Sequence, residues 1–143
     1  MSNSYISARA RRRIIERADA RCEYCGSPLN VCPDPFSIEH ILPRPAGGTD
    51  ALDNLALSCQ GCNNFKGIFT EAIDPITGET VPLYYPRLHR WAEHFSWSAD
   101  ALTLLGRTPT GRATVQRLLL NRAGVVNPRN LLFLAGQRPL LVG

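Results

Sequence analysis

Apolar positions recur every four residues through Ala10, Ile14 and Ala18, and Ser7 stands where a helix N-cap belongs, so residues 7–20 predict a helix. Arg9, Arg13 and Arg17 form a parallel stripe about 100° round that helix, either a solvated face or a surface for phosphates. Phe36 to Leu42 is rich in β-formers and closed by Pro43, which predicts a strand. Pro45-Ala46-Gly47-Gly48 must be a loop, and Leu52 to Leu57 begins the return strand of a wide hairpin. From Asn63 a short helix is expected through Lys66. Further on, Asp74 to Gly78 reads as a turn, and Trp91, Phe95 and Trp97 suggest a strand or strand edge. Thr108-Pro109 suits the N-cap and first turn of a helix running to about Arg122, with Val115, Leu118 and Leu119 buried and Asn127-Pro128 interrupting it. The apolar tail after Asn130 is expected to dock on the body or on a second subunit.

Composition narrows the class. The 143 residues suit one domain with a modest core, and the apolar fraction of 44% is that of an ordinary globular protein. No apolar run approaches the roughly 20 residues that span a bilayer, and the basic N-terminus lacks the apolar stretch of a signal peptide. A cytoplasmic protein without a membrane partner is the expectation. The net charge of +4 is unevenly spread. Residues 1–21 hold six arginines against two acids, residues 101–143 hold six arginines and no acid, and residues 22–100 carry four basic residues against ten acids. Basic flanks around an acidic centre suit a protein that grips a polyanion and holds cations between. Genome composition is the alternative source of an excess that is almost all arginine.

The cysteines carry more chemistry. Cys22/Cys25 and Cys59/Cys62 form two Cys-x-x-Cys pairs, each able to offer two thiolates to one ion, and four thiolates satisfy tetrahedral Zn²⁺. In a reducing compartment such pairs favour metal over disulfides. A redox dithiol is the rival, but it lacks a thioredoxin-like context. The 33 residues between the pairs exceed the roughly 15–20 of a zinc ribbon, leaving room for a hairpin. A closed four-cysteine site has no open coordination position, so this ion is expected to be structural. Cys32 has no partner at ligand spacing; it reads as a small semi-buried thiol or, alternatively, as a substitute ligand.

Between the pairs stand Glu39-His40 and Asn54. His40 can act as a general base near neutral pH, and Glu39 offers a hard oxygen ligand for Mg²⁺ or Mn²⁺. Adjacent strand residues point to opposite faces, so the two share a site only where the strand is distorted or ends. The stretch from Phe36 to Gly67, FSIEHILPRPAGGTDALDNLALSCQGCNNFKG, resembles the HNH family of metal-dependent nucleases. That resemblance makes His40 the base, Glu39 and Asn63 the ligands of a catalytic divalent ion, and Asn54 the brace that orients His40. Glu stands where Asp is more usual and Asn63 where many members carry His, giving an H-N-N form with a weak, hard ligand. Asn64 would substitute for Asn63 if the helix register differed. Arg44 is a candidate phosphate contact, as are Arg9, Arg13 and Arg17. Lys66, the sole lysine, reads as a phosphate contact or a helix-surface charge. His89 and His94 lack such support and read as packing or surface residues. Trp91 and Trp97 fill the core or stack on bases.

The expected fold is α+β: a ββα-metal unit stapled by a four-cysteine zinc site, with an N-terminal helix and a mixed C-terminal extension. Residues 1–72 would form the nuclease core and 73–143 an extension packed upon it. By the resemblance, the activity is hydrolysis of DNA phosphodiester bonds to 5′-phosphate and 3′-hydroxyl ends. Two rivals stand beside it: a zinc-stabilised nucleic-acid-binding module without activity, and an RNA-cleaving defence or toxin nuclease. A monomer or a homodimer is compatible with either.

Overall fold

The computed structural model describes residues 6–32 and 35–136, and the chain forms a mixed α/β protein of five helices and three two-stranded antiparallel sheets among them. Helix α1 (Ala8–Arg17) starts where Ser7 Oγ accepts the Ala10 amide at 3.0 Å and buries Ile14 completely. Asp19 and Ala20 then adopt positive φ and turn the chain into the first cysteine knuckle.

Strands β1 (Ser37–His40) and β2 (Leu55–Ser58) pair with Glu39 opposite Ala56 and His40 opposite Leu55. The strands are shorter than the apolar runs that predicted them. Residues 52–54 are wound into a 3-10 turn, and Asn54 spends its side chain on the loop rather than on the ladder. Helix α2 (Gln60–Lys66) follows directly from Cys59, so Cys62 and Asn63 lie in its first turn. Two further hairpins complete the sheets, β3 (Glu71–Ile73) with β4 (Thr80–Pro82), and β5 (Phe95–Trp97) with β6 (Leu104–Gly106).

Three expectations for the second half change. Trp91 to Trp97 is not one strand: Trp91–His94 form the short helix α3 before β5 begins. Helix α4 (Pro109–Arg117), capped by Thr108 Oγ1 on the Gly111 amide, stops five residues early. Leu119 takes φ +49 and is exposed, while Leu118 and Leu120 are buried on either side of the reversal. Nor does Pro128 break the chain, since α5 (Ala123–Leu134) runs through it. Its neighbours outweigh the missing amide: Val125 is buried, and Arg129 bonds the carbonyls of Leu102 at 3.0 Å and Leu120 at 2.7 Å.

One apolar core joins both halves. Ile14, Tyr24, Leu55 and Leu57 pack with Trp91, Phe95, Leu104, Leu118, Leu120 and Val125. Trp91 and Trp97 thus serve packing, and His89 and His94 lie 4.9 Å apart against Tyr84. Burial, then His89, holds the His94 imidazole below its ordinary range. No helix among the described residues is long and apolar enough to cross a membrane. Of the tail after Asn130, residues 137–143 lie outside the described residues.

Candidate active site and metal clamp

The two knuckles meet. The sulfurs of Cys22, Cys25, Cys59 and Cys62 all lie within 4.8 Å of one another, each residue buried, so four cysteines are positioned to bind one metal ion. Sulfurs about 2.3 Å from a tetrahedral zinc stand about 3.8 Å apart; Cys25 and Cys59 are separated by 3.7 Å, which suits zinc. Cys32 is not of this group, and burial lifts its thiol to about 11.

The outer face of the clamp is closed from the far end of the chain. Arg122 aims its guanidinium at Cys59 Sγ (3.4 Å) and Cys62 Sγ (3.5 Å) and lies over the Phe65 ring. Four thiolates with one divalent ion carry two net negative charges, which a guanidinium counters. A Cβ on Gly61 would meet that guanidinium at 2.5 Å, so a glycine leaves room for it.

An open cleft of about 730 Å³ lies beside the clamp, lined by Ile38, Glu39, His40, Pro43, Arg44, Asn63 and Gly67 among others. His40 ends β1 with its ring partly exposed, and Nε2 sits 2.7 Å from Asp50 Oδ1. Arg44 pairs with the same carboxylate oxygen. Hydrogen bonding from His40, then from Arg44, holds Asp50 below the usual carboxylate range. No hydrogen bond reaches His40 Nδ1 from a described residue.

The loop between the strands is clamped by Asn54. Its amide accepts from the Leu42 backbone at 2.9 Å and donates to the carbonyls of Leu42 (3.0 Å) and Thr49 (2.9 Å). Tyr85 supports Asn54 from the extension at 3.3 Å. Gly48 makes this closure sterically feasible, because a Cβ there would fall 1.6 Å from Leu42 O.

Lys66 needs a different description from the one its sequence suggested, and Glu39 is its partner. Glu39, one residue before the end of β1, is 4% exposed and forms a floor to the cleft that His40 also lines. Lys66 is neither a surface charge nor open to a phosphate. It is 1% exposed, with Nζ 2.7 Å from Glu39 Oε1 and donating to Ile41 O at 3.0 Å. Glu39 Oε2 has no hydrogen-bond donor among the described residues. Burial raises the Glu39 carboxyl, opposed by Lys66, while burial and then Glu39 raise the neighbouring Tyr24 hydroxyl. Asn63 lines the cleft, whereas the Asn64 amide oxygen is taken by Gln60 at 2.8 Å. Glu39 and Asn63 line the cleft together with His40, and carboxylate and amide oxygens are hard donors of the kind that suits Mg²⁺ or Mn²⁺.

The arginine flanks are largely spent on the fold. Arg17 donates to the carbonyls of Leu52 and Leu55, Arg11 to Phe36 and Arg21 to Gly26. Arg107 bonds Ala92 O, and Arg112 grips the buried Asp74 carboxylate through two nitrogens. Arg9 and Arg13, two of the three expected phosphate contacts on α1, are exposed. Sequence reasoning passed over Asp50 and Arg122. Asp50 was detectable as the acid in the loop that faces the candidate base, and Arg122 as a cation in an acid-free tail of a protein with four thiolates to neutralise.

Comparison with known proteins points to the same stretch of the chain. A family model, HNH endonuclease, matches residues 22–68. The chain is 33% identical over 82 residues to the CRISPR-associated endonuclease Cas9 of Corynebacterium diphtheriae, covering 54% of this chain and 7% of that protein. It is 30% identical over 122 residues to the Septu protein PtuB of Bacillus thuringiensis, covering 83% of this chain and 44% of that protein. The chain therefore spans less than half the length of these relatives. No solved structure matches.

Proposed function

We propose, from the premise that residues 22–68 are an HNH endonuclease domain, that this protein hydrolyses DNA phosphodiester bonds with a divalent metal, leaving 5′-phosphate and 3′-hydroxyl ends. The observation that carries the reading is the cleft lined by His40, Arg44, Asn63 and Glu39, adjoining the four-cysteine clamp. His40 is the general base, with Nδ1 taking the proton of the attacking water. Asn54 fixes the loop that follows His40 and so fixes the ring's position. Arg44 contacts the phosphate, exchanging or sharing its Asp50 partner. Glu39 and Asn63 hold the catalytic Mg²⁺ or Mn²⁺, which when bound stabilises charge on the phosphate and the leaving oxygen. Zinc in the cysteine clamp is structural. Arg9 and Arg13 extend the polyanion contact along the exposed side of α1.

A binding-only role is favoured by one observation: on the cleft floor Glu39 is 4% exposed and already paired with Lys66. Supercoiled plasmid separates the two. Metal-dependent nicking that disappears in His40→Ala and in EDTA is expected. No cleavage by a folded, zinc-loaded protein that binds DNA in a salt-sensitive manner would establish the binding role instead. Labelled RNA in the same assay tests the rival substrate.

A further inference from the structure

We infer that Asp50 is a positioning residue for hydrolysis, holding His40 in the tautomer and orientation that leave Nδ1 free to act, and that this carboxylate also tethers Arg44 beside the base. The inference rests on the reading of His40 as general base. Its foundation is geometric. Asp50 Oδ1 lies 2.7 Å from His40 Nε2 and bonds Arg44 through the same oxygen. An ionised carboxylate only accepts hydrogen bonds, so the hydrogen of that contact belongs to Nε2. The lone pair then falls on Nδ1, the nitrogen without a described partner. A ring fixed at one nitrogen and open at the other is the arrangement by which a base is aimed at a water.

Asp50 is itself well placed to do this. It lies ten residues beyond His40, across the loop that Asn54 closes by bonding Leu42 and the Thr49 carbonyl next to Asp50. The Ala51 amide bonds Thr49 Oγ1, which tightens the same turn. The Asn54 brace therefore sets the position of both His40 and its carboxylate partner. The shared oxygen couples the two functional side chains: a phosphate drawing Arg44 away leaves Asp50 wholly to His40.

The test compares wild type with Asp50→Asn, Asp50→Ala, Arg44→Ala and His40→Ala, each with zinc content and circular dichroism measured first. Long-range ¹⁵N–¹H spectra of the three histidines assign the His40 tautomer, with His40→Ala identifying its peaks. Wild type and Arg44→Ala should show Nε2 protonated and Nδ1 bare; Asp50→Ala should show a mixture. Single-turnover nicking should fall roughly 10- to 100-fold in rate for both Asp50 variants, within the ~10²–10⁴-fold that a general base contributes. Plasmid affinity should change little in Asp50→Ala and fall in Arg44→Ala. An unchanged tautomer, or an unchanged cleavage rate, in Asp50→Ala would overturn the inference. Full activity in His40→Ala would instead remove the general-base reading on which it rests, so the two failures are told apart.

Discussion

Lys66 Nζ and Glu39 Oε1 lie 2.7 Å apart behind the strand that carries His40, with side-chain exposures of 2% and 3%. An ion pair this deep costs desolvation on both sides, but removing one partner costs more, because the other charge is left uncompensated. Lys66→Met should lower the unfolding free energy by about 3–5 kcal/mol. The double variant Glu39→Leu/Lys66→Met should recover much of that. Urea unfolding of the zinc-loaded proteins measures both.

The same pair predicts a pH dependence. Burial raises the folded carboxyl of Glu39 above its ordinary value, and Lys66 is what opposes the rise. Without Lys66 the folded carboxyl should rise further. A carboxyl whose folded value exceeds its unfolded value stabilises the fold when protonated, below its ordinary range, and that stability is lost as pH climbs through the folded value. Lys66→Met should therefore lose more stability than wild type on going from mildly acidic to alkaline buffer. Unfolding curves across that range at constant zinc check the sign.

Metal removal is expected to unfold the protein rather than merely silence it. Structural zinc sites contribute about 10–16 kcal/mol of apparent binding free energy, comparable with or above the roughly 5–15 kcal/mol that stabilises a typical domain. All four ligands belong to the apolar core with Tyr24, Leu55 and Leu57. Elemental analysis should find one zinc per chain, and Cys59→Ser should abolish it together with cooperative unfolding. A chelator acting slowly at neutral pH should give a transition that zinc reverses under reducing conditions.

Several of these relationships were readable from the sequence and several were not, for a physical reason. Ser7 as N-cap, the cysteine pairs and the Glu39-His40 strand follow from local chemistry: a side-chain oxygen near an amide, a short turn joining two thiolates, alternation closed by a proline. What local pattern cannot give is the partner of a long side chain. Lys66 ends a helix and reads as surface until β1 is laid across it, and Arg122 meets its thiolates about 60 residues away in sequence. The same holds for the arginine flanks, whose charge suggested a polyanion surface while Arg17, Arg112 and Arg122 were satisfied within the chain. Pro128 misled for another reason: the burial of Val125 and the hydrogen bonds of Arg129 hold a helix that local preference would have ended.

Asn54 offers a direct separation of folding from activity. Its amide makes three hydrogen bonds to the loop backbone, at Leu42 and Thr49, from a position 6% exposed. Asn54→Asp keeps the acceptor for the Leu42 amide but loses both donors, turning a carboxylate toward two carbonyl oxygens. Cleavage should fall by at least about 100-fold, while stability falls by roughly 1–3 kcal/mol. Plasmid nicking and thermal unfolding on one preparation measure the two effects.

Arg122 supplies the most distant control of the clamp. Its guanidinium lies 3.4 Å from Cys59 Sγ and 3.5 Å from Cys62 Sγ, reached from the N-cap position of α5. Outer-shell partners of this kind typically contribute roughly 10- to 100-fold in metal affinity, through ligand orientation and charge. Arg122→Gln keeps an N–H donor and removes the charge; Arg122→Ala removes both. Zinc transfer to a competing chelator should accelerate in the order wild type, Arg122→Gln, Arg122→Ala, by about 10-fold or more at the extreme. Arg117→Ala, which removes a guanidinium stacked 3.7 Å over the Phe69 ring rather than one facing sulfur, should leave zinc transfer at the wild-type rate. Equal transfer rates in all four proteins would mean that the guanidinium covers the clamp without tightening it. The expected ordering would make the acid-free C-terminal arm part of the metal centre, so that truncation before Arg122, which also removes the buried Val125 and Arg129, should release zinc at least as readily as Arg122→Ala does.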